Sequence, residues 1–374
     1  MNGRTADRRP ARTDVLVVGP LSPTPGGIAR VAESHIDALR SAGWTVEVVN
    51  TGRRLRRRPG RPGLWNLVSV AGDALRVLWT TVRTRPDIVA VHSLGSPTAP
   101  ALRALALVAA ARAGGAEAAL HVHAYDLVGR IDGRRGLLRP ILTATLRLVT
   151  VAVVLGEPEA ERVRGLRSNL AVRLLPNVID TDVFHPTSSR VGAPVRAVVV
   201  GAVGRRKGIP ELLAALEELP ELHLDIVGPV STEPGDLGTE CMRTVRVAES
   251  GGRVRYLGTL TGAEVAVRLR DASMFVLLSR AEGMPVALLE AMASGLPCVV
   301  TDVGTMARIV GDASCGVVVQ GGDAGAVSCA LRHLASSADA RVQLGHRARQ
   351  HALRHHSTTR LDGELASVYN LGPS

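Results

Sequence analysis

Lysine is almost missing from this chain of 374 residues: of its 45 basic side chains only Lys207 is not an arginine. Arginine therefore serves wherever a generic positive charge is wanted. The one position that keeps an ammonium calls for a compact point charge on a flexible stem. Aromatic residues are scarce too, at 2%, so valine, leucine, alanine and isoleucine must fill the cores. Cysteine occurs at Cys241, Cys298, Cys315 and Cys329 without a CxxC spacing, which excludes a disulfide framework and points to a reduced, cytosolic protein with buried thiols. Long apolar runs are absent as well. The longest candidate, LLRPILTATLRLVTVAVVL, is interrupted by Arg139, Pro140 and Arg147 and reads as a helix feeding a buried strand, not a membrane span. The lead-in MNGRTADRRPAR is polar and basic, unlike a signal peptide, and TDVLVVG after it reads as a first strand.

What is present in excess is positive charge, and it is unevenly spread. Residues 1–187 hold 26 basic and 15 acidic groups, whereas residues 188–374 hold 19 of each, so the first half carries the whole net charge of +11. No aromatic platform or nucleic-acid motif accompanies it, so a nucleic-acid partner is not expected. The basic run RRLRRRPGRPG, from Arg53 through Arg61, leads into LWNLVSVAGDALRVLWTTVR, which bears Trp65 and Trp79. Basic residues beside a tryptophan-bearing amphipathic helix are what an interfacial segment uses on an anionic membrane face. A solvated loop followed by an ordinary core helix is the other reading of the same residues.

Short valine-rich runs alternating with longer Ala/Leu/Arg segments indicate an α/β protein with parallel sheets. In the first half the strands are DVLVVG, TVEVVN, DIVAVHS and AALHVHA, with a helix over Thr98–Ala113. A second alternation restarts at RAVVVGAVG and runs through LHLDIVG, RVRYLG, MFVLLS, PCVVTD and GVVV. HPTSSRVGAP, residues 185–194, has the composition of a linker. The expected organisation is two Rossmann-like doubly wound domains facing a cleft, over residues 1–187 and 188–355. A closing helix within 356–374 would pack back on the first domain.

Two segments carry chemistry. In VVVGAVGRRKGIPELLAAL, residues 198–216, an apolar strand gives way to a glycine-rich turn holding Arg206 and Lys207 and then to a helix. That arrangement presents backbone N–H groups and a cation to a phosphate. Gly201, Gly204 and Gly208 are spaced neither as a dinucleotide fingerprint nor as a Walker loop. In SRAEGMPVALLEAMASGLP, Glu282 sits in a tight loop before a helix opened by Pro285 and closed near Ser294-Gly295, and Glu290 lies eight residues on. Eight helical residues span roughly 12 Å, so these carboxylates suit a ligand with hydroxyls at both ends and phosphates between, the layout of a sugar nucleotide. Asp180-Thr181-Asp182 offers a D-x-D spacing but reads as turn and capping chemistry. His121 and His123 alternate along a strand as core or metal-binding residues, with no cysteine or carboxylate cluster to complete a metal site.

The segment from Ser279 to Pro297 resembles the E-x7-E region of the retaining glycosyltransferases of family 4, which have the GT-B fold. LPNVIDTDVFHP resembles the loop that ends the family's first domain. PTPGGIARVAESHIDALRSAGWTVEVV resembles its opening glycine loop and helix, VGAVGRRKGIPELLAAL its phosphate-binding region, and TTRLDGELASVYN its closing helix. The likeness spans nearly the whole chain. It departs at Ala202, where relatives usually carry an arginine, and at Thr305 and Arg308, where a glycine and a glutamate are common.

The resemblance implies that Lys207 and Arg206 neutralise the donor diphosphate and the charge of the leaving group, while Glu290 holds the ribose hydroxyls. It implies that Glu282 faces the donor sugar, with Gly283, Met284 and Pro285 lining the site. Gly26 and Gly27 would bring backbone close to the phosphates, and His123 would stand near the sugar at the reaction centre. The expected activity is retaining transfer from a UDP- or GDP-sugar to a glycan or lipid-linked acceptor hydroxyl, with no bound metal and no other cofactor. The expected setting is the cytoplasm, peripheral on the inner face of the plasma membrane, and the pathway one that builds cell-surface polysaccharide, glycolipid or a glycosylated metabolite. A sugar-nucleotide epimerase of the same fold and a non-catalytic nucleotide-sugar binding module are the alternatives.

Overall fold

The computed structural model describes residues 14–22, 26–52, 64–93, 98–123, 138–187, 194–233 and 235–370. The basic run from Arg53 to Arg61, the residues just after His123 and most of the expected linker lie outside the described residues. The chain divides into two compact units, Met1–Pro176 with Leu361–Ser374, and Asn177–Arg360.

In the first unit β1 (Val15–Gly19), β2 (Val46–Asn50), β3 (Ile88–Ser93), β4 (Glu117–Val122), β5 (Val151–Val154) and β6 (Ala171–Leu174) form one parallel sheet in the order β2-β1-β3-β4-β5-β6. The helices are α1 (Gly27–Ser41), α2 (Leu64–Thr84), α3 (Thr98–Ala113), α4 (Leu138–Leu148) and α5 (Glu157–Leu166). The central strands are mostly apolar because crossover helices cover both faces, with His92 of β3 and His121 of β4 as buried polar exceptions. Leu16, Val18, Val89, Val91, Leu120 and Val154 meet Leu107, Val108 and Ala111 of α3 and Leu142 and Leu146 of α4 in one core. The run from Leu138 folds as the sequence predicts, helix first and then the buried strand β5.

Helix α2 buries Val77 in the core but also turns polar residues inward and apolar ones outward. The residues it buries include Asp73, Thr80 and Thr81, and Asp73 is paired with Arg103 of α3. Its exposed residues include Val68, Leu75, Trp79 and Val82, which recur at helical spacing on one stripe.

The second unit holds β7 (Arg196–Val200), β8 (His223–Val227), β9 (Val254–Gly258), β10 (Met274–Leu277), β11 (Cys298–Thr301) and β12 (Gly316–Val319) in a parallel sheet ordered β12-β11-β10-β7-β8-β9. Around it lie α6 (Ile209–Glu217), α7 (Gly238–Ser250), α8 (Gly262–Asp271), α9 (Val286–Ala293), α10 (Met306–Ala313), α11 (Ala324–Ser336) and α12 (Ala338–His355). The last helix, α13 (Leu361–Val368), belongs to the first unit, where it packs on α1. Of the cysteines, Cys241, Cys298 and Cys315 are buried thiols as expected, whereas Cys329 on α11 is exposed.

The loop after Pro176, expected to close the first domain, packs on the second unit. Ile179 forms a bridge with Ser357, Asn177 Nδ2 donates to the Met284 carbonyl at 2.7 Å, and Arg349 donates to the Phe184 carbonyl at 2.7 Å. Composition placed the boundary at the polar stretch near residue 188, but these hydrogen bonds lie upstream of it.

Candidate active site

In an open parallel sheet, ligands bind beyond the carboxyl ends of the strands where the strand order reverses. In the second unit that point lies between β7 and β10, its two neighbours in the centre of the sheet. The turn after β7 carries Arg206 and Lys207, and the loop after β10 carries Glu282. Two segments more than seventy residues apart in sequence are thus brought together by topology.

The turn is built from glycines for steric reasons. Gly208 has φ +69°, and a Cβ there would fall 2.2 Å from the Leu278 carbonyl oxygen. A Cβ at Gly201 would fall 2.9 Å from Lys207 Cε, so the lysine stem lies along bare backbone that a side chain would obstruct. Arg205, Arg206 and Lys207 form one turn of 3₁₀ helix, followed directly by α6 with Pro210 in its first turn.

Lys207 Nζ donates to Glu282 Oε1, which also accepts Ser279 Oγ at 2.8 Å. Arg206 reaches the same oxygen at 3.7 Å, while its Nε and a terminal nitrogen donate to Glu233 at 3.2 and 3.3 Å. The main chain joins the two loops as well, Arg280 N–H donating to the Arg206 carbonyl at 2.8 Å. Asp236 supports the turn from below: its Oδ1 accepts the Arg206 N–H, and its carbonyl accepts the Arg205 N–H at 2.9 Å. Two cations are therefore held side by side by acidic groups, an arrangement that can exchange carboxylate for phosphate oxygens.

Gly283 and Met284 continue the loop. The Gly283 carbonyl accepts both Thr305 N–H and Thr305 Oγ–H, at 3.0 and 2.8 Å. Thr305 thus pins this loop. Gly304, at φ +59°, leaves no room for a Cβ, which would lie 2.0 Å from the Glu282 carbonyl. Met284 is buried and held by Asn177, and Pro285 caps α9. Glu290 lies buried in the second turn of that helix.

Gly26, Gly27 and His123 belong to the first unit. Gly26 caps α1 with φ +136°, a value side chains rarely adopt, and Gly27 is the first helical residue. His123 follows β4, and its Nε2 lies 3.1 Å from His92 Nδ1. Burial lowers His123 from the usual 6.5 to about 4, so it is a neutral hydrogen-bonding group at pH 7. The Asp180 carboxylate accepts the N–H groups of Asp182 and Val183 at 2.9 and 3.1 Å, the turn chemistry expected of that D-x-D.

Sequence reasoning missed Ser279, Glu233, Asp236 and Asn177. Ser279 could have been flagged three residues before Glu282, but Glu233 and Asp236 lie in the connection after β8, which carries no motif. It also missed that His35 and His92 join His121 in one buried group.

Comparison with known proteins gives the family and the fold. Residues 182–351 match the family described as Glycosyl transferases group 1, and residues 25–183 match Glycosyltransferase Family 4. The D-inositol 3-phosphate glycosyltransferase of Corynebacterium jeikeium is 32% identical over 49% of this chain and 48% of its own length. The phosphatidyl-myo-inositol mannosyltransferase of Mycolicibacterium smegmatis is 29% identical over 66% of this chain and 61% of its own length. The chain thus spans about half to three-fifths of the curated relatives it matches. Among solved structures, Anabaena HepE in complex with UDP-glucose superposes with a TM-score of 0.73 over 95% of this chain and 99% of that one, at 14% identity, a likeness of fold. With both halves of the chain matched and two parallel six-stranded sheets in place, the chain belongs to the family 4 glycosyltransferases of the GT-B fold.

Proposed function

We propose that this chain is a retaining glycosyltransferase that moves a sugar from a UDP- or GDP-sugar to an acceptor hydroxyl. The observation that carries the reading is the placement of Lys207 and Arg206 against Glu282 at the strand-order reversal between β7 and β10. A diphosphate entering there meets two cations and the N–H groups that open α6. The same cations stabilise charge as it grows on the leaving phosphate, so no metal is required to bridge the phosphates. Glu282 and the Gly283–Pro285 loop serve the sugar and Glu290 the ribose. Gly26, Gly27 and His123 are proposed to take part in donor binding and transfer, His123 as a neutral hydrogen-bonding group.

In the retaining reaction the leaving phosphate takes the acceptor proton on the face from which it departs, so positioning and charge stabilisation do most of the catalysis. The acceptor is proposed to be lipid-linked or an anionic glycan, in keeping with the positive charge of the first half and with two relatives named for inositol phosphate and phosphatidylinositol substrates. The setting is proposed to be the cytoplasmic face of the membrane. Among the described residues no helix is long and apolar enough to cross one.

The test is a thermal-shift screen of UDP, GDP and their sugars, since a ligand raises apparent stability according to its affinity. NMR of the product made with the best donor in the presence of a chelator follows. Retention of the anomeric configuration is expected. Inversion, loss of transfer in chelator, or epimerised donor without transfer would each overturn the corresponding part of the reading. Binding without turnover would favour the binding module.

A further inference from the structure

His35 of α1, His92 of β3 and His121 of β4 converge inside the first unit, each offering one ring nitrogen, with these nitrogens all within 4.8 Å of one another. All three are buried, each 2% exposed. The register of the sheet causes the meeting: His92 and His121 are direct partners across β3 and β4, so their rings stack with centroids 4.2 Å apart. His35 comes down from α1, its ring 5.2 Å from each. Gly19, at the end of β1, leaves room for the group, since a Cβ there would lie 2.9 Å from His92 Cβ.

The hydrogen bonding of this cluster is incomplete on its inner side and complete on its outer side. Among the described residues neither ring nitrogen of His35 has a hydrogen-bond partner, and neither does His92 Nε2. A buried polar atom left so costs about 1–3 kcal/mol, and an apolar side chain would fill the same volume without that cost. On the outer side, His92 Nδ1 meets His123 Nε2 at 3.1 Å and His121 Nε2 meets the Tyr369 hydroxyl at 2.7 Å. Partners of this kind fix the tautomer and orientation of metal-ligating histidines. With Nδ1–H of His92 donating to His123, Nε2 of His92 keeps its lone pair for a ligand.

We propose that His35, His92 and His121 form a binding site for a divalent transition metal of the zinc class. Three neutral imidazoles with no carboxylate in the set favour Zn²⁺, Co²⁺, Ni²⁺ or Cu²⁺ over Mg²⁺ or Ca²⁺. Tetrahedral coordination at about 2.0–2.1 Å places ligand nitrogens about 3.4 Å apart, so the rings would close around the ion by side-chain rotation. Ligation requires each imidazole in its unprotonated form. The metal ties α1 to the sheet and, through Tyr369, to the C-terminal segment. Its role is structural, separate from the donor phosphates.

The full-length protein is stripped of metal by chelation and titrated with Co²⁺ and with Zn²⁺, following the visible absorption of Co²⁺ and the melting temperature. One Co²⁺ per chain with the strong absorption of a tetrahedral site, displaced by Zn²⁺, and a rise in melting temperature with Zn²⁺ but not Mg²⁺, are expected. His35→Phe keeps the ring volume and adds no polar atom, so it is expected to fold, to lose the Co²⁺ absorption and to lose the Zn²⁺ shift. Tyr369→Phe removes only the outer partner of His121 and is expected to weaken binding by roughly 10–100-fold. The exposed-side pair His351 and His355 on α12, with ring centroids 4.5 Å apart, is the competing site. Wild-type protein that binds no stoichiometric Co²⁺, or binding that survives His35→Phe and disappears in His351→Ala/His355→Ala, would overturn the proposal.

Discussion

Lys207 and Glu282 form a charged hydrogen bond at the strand-order reversal of the second sheet, and both side chains are mostly enclosed, at 11% and 9% exposure. Removing one partner leaves the other charge confined. Lys207→Ala is therefore expected to cost about 3–5 kcal/mol in unfolding free energy. Lys207→Met combined with Glu282→Gln leaves no orphan charge and is expected to recover most of that loss. Denaturant titration of the variants checks this, and simple additivity would show that the two side chains do not depend on each other. Lys207→Arg is not expected to restore donor affinity, because the lysine stem passes within 2.9 Å of where a Gly201 Cβ would stand and the wider guanidinium has no such path.

Glu233 competes for Arg206. It is half exposed and bonds Arg206 through two nitrogens at 3.2 and 3.3 Å. An exposed pair of this kind is worth about 0–1 kcal/mol, so Glu233→Gln is expected to tighten binding of a nucleoside diphosphate by no more than about fivefold. Arg206→Gln is expected to weaken it. Calorimetric titration of UDP and GDP reads both effects, and an unchanged affinity in Glu233→Gln would show that Arg206 already faces the ligand freely.

The sheets were legible in the sequence because buried parallel strands are continuous apolar runs, and DVLVVG, MFVLLS and PCVVTD have no other comfortable reading. Lys207 stood out by being unique, and Glu282 and Glu290 by their spacing around a helix start. The acidic groups that hold the cations did not stand out, since Glu233 and Asp236 sit in an irregular connection where a carboxylate is unremarkable. His35 was hidden for another reason. A helix places it on a face whose neighbours are decided by strand pairing some sixty and ninety residues away, and only the register of His92 with His121 brings the three together. The packing of the loop after Pro176 was not legible, because composition marks where a chain is polar, whereas Asn177 and Ile179 commit the loop upstream of that stretch.

His356 gives the second unit an acid sensitivity. Its Nδ1–H donates to the Asn177 carbonyl at 2.9 Å, and burial, opposed by that bond, lowers the imidazole from 6.5 to about 4. As pH falls the unfolded chain takes the proton first, so stability is full above about pH 6.5 and falls as pH drops toward 4, by up to about 3 kcal/mol. His356→Asn retains a donor toward Asn177 and removes the titration. The difference between wild type and variant in urea midpoint is expected to change between pH 7.5 and 5, with the variant losing less. Parallel curves would exclude His356 as the source.

The exposed apolar stripe of α2 bears on the membrane. Leu75 and Trp79 are 65% and 61% exposed on a stripe with Val68 and Val82, and Arg83 lies over the Trp79 ring at 5.1 Å. The arginine run from Arg53 to Arg61 immediately precedes this helix in sequence. Apolar contact and attraction to anionic headgroups then act on one segment, the combination that holds interfacial helices. The full chain is expected to co-sediment with vesicles containing phosphatidylglycerol and not with purely zwitterionic ones, and to release as salt rises. Leu75→Ser with Trp79→Ser, and separately neutralisation of Arg53, Arg54, Arg56, Arg57 and Arg58, are each expected to abolish sedimentation while leaving circular dichroism unchanged. Undiminished binding in both variants would remove the membrane from the proposed function. A wild-type dimer that dissociates on Leu75→Ser and Trp79→Ser would instead assign the stripe to a second copy of the chain.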